Sequence, residues 1–398
     1  MMLNALSKAI AAAVACGAIS VVNGVAVTRG NDSSVAYYSG GFPTPVIRPS
    51  FDPYSDDPAY NPHLNSPDVD SDELCKRGKT HEDLDANGNG NWYCQKIDQV
   101  IYKKVTSHGP YDEVVGMDDK TGRCDFKPRE VQGELGPFNE PMSLVFRGPL
   151  RLKQFSIYLP NGDGSFRRTG EYHAASQTRK GIMFLGNYGG QGSGTNGFFG
   201  ASLSYVRPDG LGGASGPSII HDAQLVSHSE FIVTTDQPCD DSCGYRRPGA
   251  VTYKGFGGSA RVFMFEFAMP DEPERNQDPD KNGNKPAIWM LNSLQEPAIW
   301  LLNSRIPNTA QYYKCNCWNF ECGELDLFKI LYPGQVKALS AFHLGGEGKS
   351  AGDANWLQRP TGGPINDGAR FGGSLSASQV EGLKAKSGLV SEYVYPNH

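Results

Sequence analysis

Long apolar runs are scarce in this 398-residue chain. Beyond the first 26 residues none approaches the ~18 consecutive apolar positions that a membrane-spanning helix needs, which excludes such helices there. Charge is sparse as well. Charged residues make up 20% and the formal net charge is -6, so the broad basic surface that holds nucleic acid is excluded. No HExxH, G-x-S-x-G or P-loop segment occurs, and no Gly-X-Y period runs through the sequence.

What is present begins with Lys8, an apolar run over residues 9–22, and the small residues Gly24 and Ala26. That is the pattern of a secretory signal peptide over residues 1–26, and it predicts an exported protein. Residues 391–398 carry no hydrophobic tail of the kind that a lipid anchor uses. Of nine cysteines, Cys16 falls in the signal; Cys75, Cys94, Cys124, Cys239, Cys243, Cys315, Cys317 and Cys322 remain. An even number in an oxidising compartment favours disulfides. Three of them precede residue 130 and five follow it, so complete pairing requires a bridge between the two regions. A zinc cluster at 315–322 is the weaker reading, because no convergent set of histidines lies near.

Residues 27–74, rich in Pro, Ser, Asp, Asn and Tyr, read as a flexible leader. Within and just after it stand a glycosylation sequon at Asn31 and a dibasic processing pair, Lys76 and Arg77. Residues 75–135 form a small, cysteine-containing, glycine-rich domain. Asp85, Asn87, Asn89 and Gly90 resemble the front of a calcium loop, but Lys96 stands where a bidentate Glu belongs. Asp278, Asp280, Asn282 and Gly283 repeat the pattern with Trp289 at its end, so both read as turns.

From residue 138 to 375, short apolar or alternating stretches are separated by turn residues: 142–146, 154–159, 182–185, 201–206, 230–234, 251–253 and 261–269. An antiparallel sandwich accounts for them economically, with a short helix at 377–386 in a tail over 376–398. The glycine-rich stretch 186–213 reads as a loop between strands. An octapeptide is nearly duplicated, with Trp289 and Trp300 eleven residues apart. An odd spacing puts equivalent side chains on opposite faces of a continuous strand, so core packing and sugar stacking are both open to these tryptophans.

The chemistry concentrates in Cys315, Asn316, Cys317, Trp318 and then Cys322, Gly323, Glu324, Leu325, Asp326, Leu327, Phe328, Lys329. On a strand, Glu324 and Asp326 share one face while Leu325 and Leu327 point the other way. Such a pair lines a groove or merely solubilises a surface strand.

This segment resembles the E-[IL]-D-x-x-E signature of laminarinase-like glycoside hydrolases of family 16. Together with the PAIW and CxCW segments it resembles the fungal TOS1-like cell-wall proteins, over residues 75–375. The resemblance implies an all-β jelly-roll sandwich, a cell-wall location, β-1,3-glucan or a related polysaccharide as partner, and endo-1,3-β-glucanase activity without cofactor or metal. It makes Glu324 the nucleophile and Asp326 its orienting neighbour, with a bulge returning residue 329 to the groove as acid and then base. Retaining hydrolysis needs two carboxyl groups ~5 Å apart, and this chain has Lys329 where the second belongs. With a reference pKa near 10.4, lysine is a poor proton donor at neutral pH, and neighbouring carboxylates hold it charged. A glucan-binding or structural wall protein is therefore the competing expectation. Glu321 and Glu266 are candidate replacement carboxylates, His343 a candidate hydrogen-bonding residue, and Trp318 and Trp356 candidate sugar platforms.

Overall fold

A computed structural model describes residues 18–23, 80–81, 92–93, 96–97, 99–103, 110–131, 136–163, 165–189, 194–227, 229–258, 260–272, 297–305, 313–316, 322–330, 336–343, 350–352 and 356–371. These residues form a predominantly β, two-sheet sandwich in which every strand pair is antiparallel. One sheet runs in the order Thr178–Lys180, Phe166–His173, Arg151–Pro160, Arg261–Ala268, Ile365–Phe371, Ala18–Asn23, Gln99–Lys103. Ala18–Asn23 falls within the segment read as a signal peptide, so this strand belongs to the unprocessed chain. The other, which contains the acidic strand, runs Gly213–Ala214, Ser204–Val206, Ile182–Gly186, Glu230–Thr235, Met142–Arg147, Ala298–Asn303, Glu324–Lys329, Lys337–His343, Ser350–Gly352. Leu357–Gln358 also pairs with Lys337–His343.

Alternation explains where each strand points. Phe263, Phe265 and Phe267 of one sheet face Phe146, Phe184, Phe231, Leu301 and Leu325 of the other in a single apolar core. Ring contacts cross the gap between sheets: Phe146 to Phe155 at 6.2 Å, Phe146 to Phe265 at 6.1 Å, and Phe267 to Phe328 at 5.5 Å. Burial of large aromatics against one another is the main favourable term for such a layer.

The far face of the acidic sheet is also dry over much of its area. Val145, Met183, Leu185, Ile232, Ala298, Trp300 and Leu302 form a second cluster with Tyr111 and Val114 of the hairpin Tyr111–Asp118/Arg123–Arg129 and with Phe199, Leu203, Cys315 and Cys322. The hairpin is bound in two further ways. Cys124 is bridged to Cys315, 191 residues later, which is the required link between the two cysteine regions. A half-buried ionic network adds to it: Arg305 Nε donates to Glu113 at 2.8 Å, while Tyr111 Oη and Asn303 Nδ2 donate to Glu140 Oε2 at 2.7 and 2.8 Å. Burial and the two carboxylates push the Tyr111 hydroxyl far above its usual pKa, so it stays a donor.

Cys239 pairs with Cys243 and Cys322 is disulfide-bonded as well, so the zinc reading of the 315–322 cysteines does not survive. The stretch 251–253 is not a strand; Tyr253 makes one isolated bridge, to Pro238. Stretch 201–206 is split by Ser202 and Leu203 into two short strands. Cys16, Asn31, Cys75, Lys76, Arg77, Cys94, the two calcium-like loops, the first tryptophan octapeptide and the 377–386 helix lie outside the described residues.

Candidate functional site

The acidic strand Glu324–Lys329 follows Gly323, whose φ of 97° and close approach to Pro137, 2.8 Å from where a Cβ would sit, both require glycine. From there Leu325 points into the core while Glu324 and Asp326 point away from it. Trp300 is opposite Asp326 but Ile299 is opposite Phe328, so Leu327 is an extra residue. The shift recurs on the other side, where Asp326 faces Ala341 and Lys329 faces Leu339. This bulge sends both Leu327 and Phe328 into the core and returns Lys329 to the face of Glu324 and Asp326.

On that face Asp326 is 2% exposed. Its Oδ2 accepts from Lys329 Nζ at 2.9 Å and from His343 Nε2 at 3.1 Å, and its backbone carbonyl accepts from Ser340 Oγ. His343 is opposite Glu324 in the register. Burial alone would raise the Asp326 pKa, but the charge of Lys329 and the hydrogen bond from His343 hold it well below the usual carboxylate range. Glu324 moves the other way: burial and then the Asp326 charge raise it, and His343, Lys329 and Arg147 offset only part of this. Two carboxyls two residues apart are thus driven apart, one ionised and one biased toward its acid form.

Glu324, Asp326 and His343 each offer a ligand atom within 4.8 Å of the others. The ammonium already held by Asp326 opposes a second cation there, so the donor set suits an ion-paired cluster better than a metal centre. No third carboxylate belongs to this cluster among the described residues. Glu266 cannot be the replacement. It lies in the other sheet on the side away from the core, its neighbours Phe265 and Phe267 point inward, and it accepts from Gln154 Nε2 at 2.6 Å. Glu321, Cys317 and Trp318 lie outside the described residues.

Trp300, one of the tryptophans for which two roles were open, is 4% exposed; it packs in the second cluster with the Arg147 guanidinium 5.4 Å from its ring centroid. Trp356 is half-buried, and Lys337 Nζ lies 5.1 Å from its ring centroid. Lys337 pairs with Gln358 and Ala338 with Leu357. Continuing that register by one residue places Trp356 beside Leu339, which is itself opposite Lys329. Sequence reasoning singled out Trp356 from its loop composition; it did not single out Arg147, whose only signal is its place at the end of an apolar strand.

The family model of the cell wall protein YJL171C/Tos1 matches the chain in both parts, the C-terminal part over residues 164–295 and 293–392 and the N-terminal part over 98–160. Among curated proteins, the chain is 27% identical to the "Probable circularly permuted 1,3-beta-glucanase TOS1" of Candida albicans, covering 77% of this chain and 94% of that protein. It is 27% identical to the protein of the same description in Saccharomyces cerevisiae, over 72% of this chain and 86% of that one. A second Saccharomyces cerevisiae protein, "Probable circularly permuted 1,3-beta-glucanase YJL171C", is 32% identical over 63% of this chain and 65% of its own length. No solved structure matches the chain.

Proposed function

The chain belongs to the YJL171C/Tos1 family of fungal cell-wall proteins, and from that premise we propose that it is a secreted β-1,3-glucan-binding wall protein whose hydrolytic strand has lost its proton-transfer partner. One observation carries this reading: at the bulge position where the family-16 pattern has its acid/base carboxylate, Lys329 is ion-paired to Asp326 at 2.9 Å. Retaining hydrolysis requires an ionised nucleophile and a protonated second carboxyl in the same site. Here the nucleophile candidate, Glu324, is biased toward its protonated form by burial and by Asp326. The group at the acid/base position is an ammonium whose Nζ is already held by Asp326 Oδ2, not a carboxyl. Loss of acid/base assistance alone costs roughly 10² to 10⁴ in rate.

The hydrolytic reading is favoured by the glucanase descriptions of the relatives and by the retained Glu324 and Asp326. Incubation of the purified protein with linear β-1,3-glucan, followed by mass spectrometry of the soluble products, separates the two. The binding reading expects saturable association and no shorter oligosaccharides. Fragments released by the parent protein and not by Glu324→Gln would overturn it. Lys329→Glu supplies a carboxyl at the missing position, and product release by that variant alone would assign the loss to this residue.

A further inference from the structure

The row of the acidic sheet that contains Asp326 is closed. Leu185, Ile232, Val145, Trp300 and Asp326 lie side by side on successive strands, and all are buried. The hairpin side chains Tyr111 and Val114 belong to the apolar cluster that covers this face. The disulfide and the Glu113/Glu140 network hold the hairpin in place, so a polysaccharide has no path over Trp300.

The next row on the same face, two residues along each strand and three across the bulge from Asp326 to Lys329, is different. Glu230, Arg147, Lys329 and Leu339 are all half-buried, and only Ala298 among them is fully covered. Trp356 continues the row past Leu339. With strands ~4.8 Å apart, five steps from Glu230 to Trp356 span about 24 Å.

We infer that β-1,3-glucan lies along this band, with Trp356 as its aromatic platform once the sugar displaces Lys337 Nζ from the ring, and with Arg147 and Lys329 as hydrogen-bond donors, displaced by one row from the line through Trp300 and Asp326. The inference rests on the glucan-binding reading above. An indole covers the apolar face of a pyranose ring, while guanidinium and ammonium groups donate to hydroxyl and ring oxygens. The placement also gives Lys329 a task that a carboxylate would not perform, since an ammonium only donates. It leaves Glu324, in the row beyond Asp326, off the path of the chain.

The test is isothermal titration of the full chain with a soluble linear β-1,3-gluco-oligosaccharide, alongside Trp356→Ala, Trp356→Tyr and Arg147→Ala, with thermal unfolding of each to verify the fold. Expected are a loss of about tenfold or more in affinity for Trp356→Ala, the scale of one lost stacking contact on an aromatic platform, near-parent affinity for Trp356→Tyr, and a smaller loss for Arg147→Ala. Folded Trp356→Ala and Arg147→Ala proteins that bind within twofold of the parent would overturn the band while leaving the glucan-binding reading intact. A folded parent that binds no oligosaccharide would overturn that reading and the band with it. Should Trp356→Ala not fold, Trp356→Gln and the Arg147→Ala result decide between the first two outcomes.

Discussion

The two faces of the acidic sheet are held by different forces, although they are built from the same strands. On the inner face Phe146, Phe184 and Phe231 meet at 5.2 to 5.4 Å in stacked and edge contacts, with no titratable group in the cluster that could change charge near neutral pH. The outer face joins apolar cover to a disulfide, a carboxylate–arginine network, and the Asp326–Lys329–His343 cluster. Area burial is indifferent to pH and redox state, whereas charge pairing and disulfides answer to both. One side of the sheet therefore secures the fold and the other is open to chemical adjustment.

The largest effect expected from breaking this contrast is on the inner face. Phe146→Ala removes a ring touching Phe155, Phe231 and Phe265 and should cost about 3–5 kcal/mol in chemical denaturation, with no dependence on reductant. Next, Cys124→Ser with Cys315→Ser releases the hairpin from a link spanning 191 residues and should cost about 2–5 kcal/mol, a loss that reductant should match or exceed in the parent because it also opens the bridges at Cys239–Cys243 and Cys322.

Lys329→Met comes third, at roughly 1–3 kcal/mol at pH 7, because Asp326 keeps its burial and its His343 bond but loses its cation. Its pH dependence has a definite sign. The depressed Asp326 pKa contributes stability that is present above about pH 4 and lost as pH falls through its folded value. The raised Glu324 pKa acts oppositely, costing stability as pH rises past about 4.3 and through its folded value. Lys329 lowers both, so its removal hurts most where both acids are ionised. Thermal unfolding of parent and variant should show the gap narrowing once pH falls low enough for Glu324 and, in the variant, Asp326 to take up protons, and closing only as the parent's Asp326 is protonated as well; a gap that stays constant down to the acid limit of folding would show that the loss is one of packing. The smallest effect is that of Arg147→Gln on stability, about 0.5–1 kcal/mol from its contact with the Trp300 ring, best read as a small change in tryptophan emission.

Much of the acidic strand was legible in the sequence. Alternation alone separates Glu324 and Asp326 from Leu325, and six of the seven apolar stretches overlap observed strands. The bulge was reached through family resemblance, since nothing in Leu327 or Phe328 announces that both turn inward. The closed outer face was not legible at all. Tyr111 and Val114 lie some thirty residues or more before the strands they cover, and local periodicity carries no record of which distant surface an exposed-looking hairpin will meet. Val251 and Tyr253 show the converse error: residues 251–254 do exchange backbone hydrogen bonds with residues 235–239 and 203, but too irregularly to make a ladder, so β-branched and aromatic residues at strand spacing end as one isolated bridge.

The Cys124–Cys315 link also sets a timetable. A ribosome adding 5–20 residues per second takes roughly 10–40 s to pass from one cysteine to the other, and Arg305, which bonds Glu113 of the hairpin, emerges near the end of that interval. Strands that the hairpin covers, Met142–Arg147, Ile182–Gly186 and Glu230–Thr235, are made well before Cys315, so the hairpin can seat on part of its face first and the disulfide then locks a contact that packing has already chosen.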